Sequence, residues 1–157
     1  MLRCTRYDAA LFAALMSTAI ALSGALAHLL ALPNKIGLER DAYFTVQGIY
    51  RGWDLFGYVL AIQLVSIIAV IVLARHDRQV RLLAIAALVS LVAAQAVLWT
   101  FTYPANVATN NWTAVPDDWE TLRRNWEYSH ATGAVFQLVA MATLVMAALM
   151  RRSSALT

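Results

Sequence analysis

Four long apolar stretches dominate the hydropathy pattern of this 157-residue chain. Ala9 to Leu32 contains no Asp, Glu, Lys or Arg, and the same is true of residues 55–74, 82–101 and 131–150. A helix rises about 1.5 Å per residue, so about 20 residues cross a hydrocarbon core of about 30 Å. Because a bilayer offers no partners to free backbone groups, such stretches must be helical there. The pattern predicts an all-α fold, an integral membrane four-helix bundle that forms a single domain over residues 1–157.

The first stretch also has some features of a secretory signal peptide. Arg3 and Arg6 precede it, and Ala25-Leu26-Ala27 resembles a signal-peptidase site. The stretch is long for a signal peptide, however. We therefore expect it to remain in the protein as the first membrane helix.

Two long connections on one side of the bundle are the candidate functional region. Residues 33–54 and 102–130 contain all three prolines and four of the five tryptophans, whereas the link on the other side spans only residues 75–81. Long loops that carry aromatic and charged residues are common sites of function.

The second connection is expected to be part loop and part helix. Residues 103–106 and 109–113 have no helical periodicity and are expected to form a polar loop. Pro116 suits the first position of a helix, and the acidic residues after it suit a helix N-terminus. Trp119, Leu122 and Trp126 then recur at helical spacing, which predicts an interfacial helix that runs into the fourth span with a bend.

The distribution of charge predicts the orientation. The side with the termini and the short link holds seven of the 12 basic residues and two of the nine acids, while the other side holds five and seven. The positive-inside rule places both termini in the cytoplasm. We expect the membrane to be a bacterial cytoplasmic (inner) membrane. Because the basic residues lie between apolar stretches, membrane lipid rather than nucleic acid explains the net charge of +3. Cys4 is the only cysteine, which excludes an internal disulfide.

Three residues near the outer ends of the helices are the candidate catalytic group. His28 is the only His, Asp, Glu, Lys or Arg within a predicted span, so it should face the bundle or water rather than lipid. His130 adjoins the outer start of the fourth span, so two imidazoles are expected at similar depth. Glu127 lies three residues earlier on the same helix face. It either contacts His130 and orients the start of that helix, or has a catalytic or ligand-binding role.

Three amide side chains are expected to form a polar layer below these residues. Gln63, Gln95 and Gln137 lie roughly 9–12 Å in from the outer helix ends, at about 1.5 Å per residue. Since lipid offers them no partner, they should turn inward and form hydrogen bonds with each other. The layer indicates either a polar pocket that opens toward the outer face or ordinary interhelical hydrogen bonding.

The motif content argues against several cofactors and activities. Glu-x-x-His also occurs in di-iron bundle proteins, but those need two copies and further carboxylates from other helices. This chain has one copy and no Asp or Glu in its spans, so we predict no metal and no other cofactor. If a metal does bind, His28, His130 and Glu127 are the residues that would hold it. No glycine-rich phosphate loop, Gly-x-Ser-x-Gly elbow or Cys-x-x-Cys motif is found.

Several segments resemble the anthrone oxygenase-like family of small bacterial and fungal membrane proteins, which is largely a domain of unknown function. The resemblance is carried by Leu32-Pro-Asn-Lys35, by Tyr50-Arg-Gly-Trp-Asp54 and above all by residues 102–130, which end in Trp126-Glu-x-x-His130. It implies four membrane helices. It also implies an oxidoreductase activity, the oxidation of anthrones to anthraquinones without a recognised cofactor. The residues that it carries over are Asn106, Trp126, Glu127 and His130.

Two functions remain open. In the first, a lipophilic aromatic or quinone-like molecule enters from the lipid, His130 removes a proton with Glu127 orienting it, and the carbanion reacts with oxygen. The residues expected to contact the substrate are Trp99, Tyr103, Trp112 and Trp126. The residues expected to stabilise the oxyanion are His28, Asn106 or Arg123.

In the second function, the chain is a non-catalytic membrane subunit or scaffold that binds a partner helix, lipid or pigment, and it has a membrane-protein partner or forms a homo-oligomer. The first predicts an enclosed aromatic pocket that contains His130, and the second predicts none.

Overall fold

Six α-helices occupy most of residues 5–154, the part of the chain that the computed structural model describes. In chain order they are α1 (Arg6–Lys35), α2 (Arg40–Gln47), α3 (Phe56–Leu73), α4 (Arg78–Val97), α5 (Tyr103–Ala108) and α6 (Trp119–Ser154). Two 3₁₀ turns precede α3, at Gly48–Tyr50 and Trp53–Leu55, and a π-helical segment, Leu98–Thr102, joins α4 to α5. Arg3, Cys4 and the side chain of Arg152, which enter the charge and cysteine arguments, lie outside the described residues.

Four helical segments are long and apolar enough to cross a membrane, and they confirm the predicted all-α membrane bundle. They are Arg6–Lys35, Trp53–Leu73, Arg78–Ala108 and Trp119–Arg151. Their outward faces carry exposed apolar side chains, such as Phe12 and Val65, each 67% exposed. A surface of that kind suits a lipid environment rather than water.

One end of the bundle, which we call the terminal end, brings the start of α1 and the end of α6 together. Arg151 at the end of α6 donates a hydrogen bond to Asp8 at 3.1 Å and lies 3.5 Å from the ring centroid of Tyr7. Asp77 caps α4 by accepting a hydrogen bond from the backbone N–H of Val80 at 3.1 Å. The opposite end, with residues 36–55 and 109–118, is called the loop end.

Small residues allow the long helices to approach closely. The main buried cluster contains many alanines, among them Ala14, Ala87 and Ala140, which pack with Leu144. Small side chains at helix interfaces are typical of membrane bundles, where close van der Waals packing replaces the hydrophobic effect as the driving force.

The first helix extends further than the sequence predicts. Pro33 was expected to begin the loop, but α1 continues to Lys35, and the backbone N–H of Ile36 still bonds to Leu32 at 2.9 Å. A proline removes one helical hydrogen bond, and this close to a helix end it affects only the last turn. As a result Lys35 lies two turns after His28, on the same face of α1.

The expected polar loop after residue 102 is also largely helical. The π-helical segment feeds directly into α5, with Pro104 near its start, where a missing N–H costs little. The chain leaves the helix only at Asn110, Asn111 and Trp112, which have positive φ values of 47°, 53° and 65°. Asn adopts this conformation readily. Trp112 is held in it by a hydrogen bond from its backbone N–H to Thr109 at 3.1 Å.

The helix expected near Pro116 begins at Trp119 and is continuous with the fourth span. Its aromatic stripe packs inward rather than standing apart from the bundle. Trp126 is buried in a second cluster with Tyr43, Ala105 and Trp112, and Trp119 and Leu122 pack against that cluster. The cluster fixes α2 and α5 against the start of α6, and so builds the wall of the site described next.

Candidate ligand-binding site at the loop end

The loop end contains a partly open cavity of about 830 Å³. Its walls come from all six α-helices, from both 3₁₀ turns and from the π-helical segment. Sites for drug-sized ligands are typically about 300–1,000 Å³, so the cavity is large enough for a polycyclic molecule. Both candidate histidines, all four residues expected to contact the substrate, and Asn106 line it: His28, His130, Trp99, Tyr103, Trp112, Trp126 and Asn106.

The two imidazoles come from different helices and stack on each other. The ring centroids of His28 on α1 and His130 on α6 lie 4.0 Å apart, with 14° between the planes. The ring of Tyr50 stacks on His28 at 4.3 Å, and Trp126 meets His130 edge-on at 4.2 Å. His28 is therefore stacked with both Tyr50 and His130, and the nitrogens at the ring edges are where these imidazoles can do chemistry. The expectation of two imidazoles at similar depth agrees with this geometry.

Glu127 does not contact His130 as the sequence suggested. Its buried carboxylate accepts hydrogen bonds from Lys35 at 2.9 Å and from the hydroxyl of Tyr43 at 3.0 Å. No hydrogen bond or ion pair joins it to His130 in the described part of the chain. Residues three apart on a helix point in directions about 60° apart, so Glu127 faces Lys35 and α2 while His130 faces the cavity.

Lys35 forms the buried counterion that sequence reasoning missed. Its side chain is 4% exposed, and that of Glu127 is 0% exposed. The Lys35 ammonium also donates to the hydroxyl of Tyr50 at 2.9 Å, and lies 4.7 Å from the Tyr50 ring centroid and 5.0 Å from that of Trp126. Two charges can be buried together only when further polar contacts offset their loss of water. Lys35 lies seven residues after His28, a spacing that places two residues on the same face of a helix. Pro33 lies between them and instead indicated that the helix had already ended.

Tyr43 completes the polar group behind the cavity wall. Burial, reinforced by the negative charge of Glu127, raises the pKa of Tyr43 far above its ordinary value. The hydroxyl therefore stays protonated and remains a donor to Glu127. It accepts a hydrogen bond in turn from the side-chain amide of Gln47, one turn further along α2.

Asn106 fixes the two indoles that form one wall of the cavity. Its side-chain oxygen accepts a hydrogen bond from the indole N–H of Trp126 at 2.8 Å and another from that of Trp112 at 3.2 Å. The oxygen of Asn106 is therefore occupied, and its contribution to the cavity is to hold Trp112 and Trp126 in place.

Arg123 and Glu127 are the two predicted site residues that do not line the cavity. Arg123 donates to the backbone oxygen of Leu38 at 2.6 Å, and its guanidinium lies 4.6 Å from the ring centroid of Trp119. These contacts join α6 to the connection between α1 and α2. In this position Arg123 packs between these elements and does not line the cavity.

Two of the three predicted amides form the expected hydrogen bonds. Gln63 donates to Gln137 at 2.9 Å and to Thr18 at 3.0 Å, which links α1, α3 and α6. Gln137 also lines the cavity, so the layer forms part of its inner boundary. Gln95 is not bonded to either amide and instead lines the cavity from α4.

A second, apolar cavity adjoins the first between α3 and α4. Its volume is about 350 Å³, and four residues line both cavities: Gly57, Leu60, Gln95 and Trp99. A Cβ atom added at Gly57 would meet nothing within 4 Å. Because the two cavities share these residues, the main cavity comes closest to the apolar outer surface at the gap between α3 and α4.

Within residues 5–151, whose side chains are described, no group of three or more His, Cys, Asp or Glu residues is arranged to hold a metal ion. Comparison of the chain with protein-family models, with curated proteins and with solved structures gives no match in any of the three. The assignment of function therefore depends on the site itself.

Proposed function

We propose that this chain is a membrane-embedded oxygenase that acts on a lipophilic aromatic or quinone-like molecule. The observation that carries the proposal is the pair of stacked imidazoles, His28 and His130, at the wall of an aromatic cavity inside a membrane bundle. A scaffold that only binds a partner helix needs neither a large cavity nor titratable rings in its wall, whereas an enzyme that removes a proton from an apolar substrate needs both. The resemblance to anthrone oxygenase-like proteins suggests the class of substrate.

The substrate is proposed to enter from the lipid. The apolar cavity between α3 and α4 supports this route because it shares Gly57, Leu60 and Trp99 with the main cavity. A lipophilic molecule is concentrated in the membrane, so a lateral entrance spares it a passage through water. Indole walls then provide the flat apolar surfaces on which fused rings stack.

The proposed chemistry is proton removal followed by reaction with dioxygen. A ring nitrogen of His130 takes a proton from an acidic C–H of the substrate, such as the C10 methylene of an anthrone, and negative charge moves to the carbonyl oxygen. The resulting anion gives its electrons to dioxygen. One oxygen atom becomes the new carbonyl of the anthraquinone, and the other leaves as water with the two hydrogens from C10. The chain contributes the base and an apolar enclosure, and dioxygen is the only oxidant.

We further propose that the protein lies in a bacterial cytoplasmic membrane. Its loop end faces away from the cytoplasm, and both of its termini lie in the cytoplasm. The excess of arginine at the terminal end, including Arg6, Arg75, Arg78, Arg81 and Arg151, supports this orientation.

Oxygen uptake by the purified protein tests the proposed activity. With anthrone as substrate in detergent, uptake should exceed that of protein-free micelles, and His130→Ala should lower the excess rate at least tenfold, since general bases contribute about 10²–10⁴-fold. His76→Ala is the matched control, because His76 is exposed in the turn at the terminal end. Circular dichroism checks that both variants fold. Equal uptake by wild type, His130→Ala and protein-free micelles would contradict the proposal.

A further inference from the structure

Tyr50 connects the cavity to the buried charges behind its wall. Its ring lines the cavity and stacks on His28 at 4.3 Å, with 27° between the planes. Its hydroxyl oxygen accepts a hydrogen bond from the ammonium of Lys35 at 2.9 Å. Neither the sequence patterns nor the chemistry proposed above gives this hydroxyl a role.

The contact with Lys35 determines what the Tyr50 hydroxyl can do. An ammonium has three donors and no acceptor, so Lys35 cannot take the hydroxyl hydrogen of Tyr50. Glu127 holds Lys35 in place at 2.9 Å. Among the described residues, no acceptor is found for the Tyr50 hydroxyl hydrogen. With no acceptor among the described residues, that hydrogen can bond to a molecule that reaches Tyr50 from the cavity, and the adjacent positive charge makes the hydroxyl a stronger donor.

Of the three residues expected to stabilise an oxyanion, His28 lines the cavity, but Arg123 does not and the side-chain oxygen of Asn106 is occupied. Arg123 is bound to Leu38 and does not line the cavity. The side-chain oxygen of Asn106 is an acceptor and is already bonded to two indoles. When His130 removes a proton from a carbonyl compound, negative charge develops on the carbonyl oxygen, and a fixed donor at that oxygen stabilises it.

We propose that the Tyr50 hydroxyl, polarised by Lys35, binds the carbonyl oxygen of the ligand. The subsite selects aromatic ketones and quinone-like molecules over hydrocarbons of the same shape. This inference rests on the proposed function, because it requires that the cavity holds an aromatic ligand. It assigns Tyr50 as a binding residue and Lys35 as a positioning residue that acts through it.

Binding of two matched probes tests the subsite without any reaction. Fluorenone and fluorene are planar three-ring molecules that differ in a carbonyl against a methylene group. Equilibrium dialysis of purified protein at fixed detergent concentration, with protein-free micelles as the blank, gives both affinities. A charge-assisted hydrogen bond makes about a tenfold difference, so the wild type should bind fluorenone about tenfold more tightly than fluorene.

Tyr50→Phe keeps the ring stacked on His28 and removes the hydroxyl. The ratio of the two affinities should fall to about one, through weaker binding of fluorenone alone. Tyr58→Phe is the matched control, because Tyr58 is 73% exposed on α3 and does not line the cavity. A ratio that stays at its wild-type value in Tyr50→Phe, or equal weakening of both probes, would overturn the subsite while leaving an aromatic site intact. Absence of binding of either probe to the wild type would instead contradict the proposed function.

A second variant tests the role of Lys35 and does not depend on Tyr50→Phe folding. The double substitution Lys35→Met with Glu127→Gln removes both buried charges together, so neither is left unpaired. The hydroxyl of Tyr50 then remains as an ordinary neutral donor, and charge-assisted bonds are roughly twice as strong as neutral ones. Preference for fluorenone should therefore fall about threefold. An unchanged preference in this double variant would contradict the role of Lys35.

Discussion

Single side chains at the loop end are held by contacts that cross from one helix to another. Lys35 at the end of α1 meets Glu127 on α6 and Tyr50 in a 3₁₀ turn, and Tyr43 on α2 donates to the same carboxylate. The position of His28 could be predicted, because an ionisable group within a span must turn inward. The position of Lys35 could not, because a proline two residues earlier normally indicates the end of a helix.

The buried ion pair predicts an unusual pattern of stability. Lys35→Met should lower the free energy of unfolding by about 3–5 kcal/mol, because it leaves the Glu127 carboxylate buried without a counterion. The double variant Lys35→Met with Glu127→Gln should recover most of the loss, since the amide can still accept from Tyr43. Denaturation in detergent, followed by circular dichroism, measures both.

The matched control for this prediction is an exposed pair of the same kind. Arg40 and Asp41 form an ion pair with side chains 57% and 87% exposed, so Arg40→Met should change stability little. A double variant that is less stable than Lys35→Met would show that the pair does not behave as two interdependent buried charges.

At the scale of helices, the hydropathy pattern predicted the four spans well but underestimated how far helix continues beyond the lipid. An apolar stretch marks the part of a helix that needs lipid, whereas the polar turns beyond it, such as 103–108 and 119–130, are stabilised by packing on each other. The π-helical segment Leu98–Thr102 has no recognisable signal in the sequence. A π turn contains an extra residue and changes the direction of the side chains that follow, and Tyr103 and Asn106 both line the cavity.

Site residues with one physically possible arrangement were predictable from the sequence, and residues with several possible partners were not. Gln63 and Gln137 had to find partners inside the bundle, and they bond to each other. Glu127 could have contacted His130, Lys35 or a helix end, and spacing along one helix could not distinguish these outcomes. Partners from distant segments, such as Lys35, were visible only after the helices had been packed together.

The whole molecule is polarised along its long axis. The terminal end carries arginines and short connections, and the loop end carries the aromatic cluster, the buried charges and the cavity. A molecule built in this way can present one face to the cytoplasm as an anchor and keep its site within reach of both lipid and the opposite face. The proposed orientation follows from this polarity.

Cysteine labelling measures that orientation. The two single-cysteine variants are Asp117→Cys at the loop end and Gln79→Cys at the terminal end, each in a Cys4→Ser background. Asp117 is exposed in the segment before α6, and Gln79 is exposed in the first turn of α4. In spheroplasts of a bacterial host, a membrane-impermeant maleimide should modify residue 117 and spare residue 79 until the membrane is permeabilised. Labelling of residue 79 alone in intact spheroplasts would reverse the orientation.

The most direct test of the central claim is hydrogen–deuterium exchange at C10 of anthrone without oxygen. The claim is that His130, in an aromatic cavity at the loop end, removes a proton from a lipophilic substrate, and exchange reports that step alone. Proton NMR in deuterated buffer and detergent should show that the wild type and His76→Ala accelerate loss of the C10 signal over protein-free micelles. Exchange with His130→Ala should return to the micelle background. Equal acceleration by wild type and His130→Ala, or none by either, would contradict the claim.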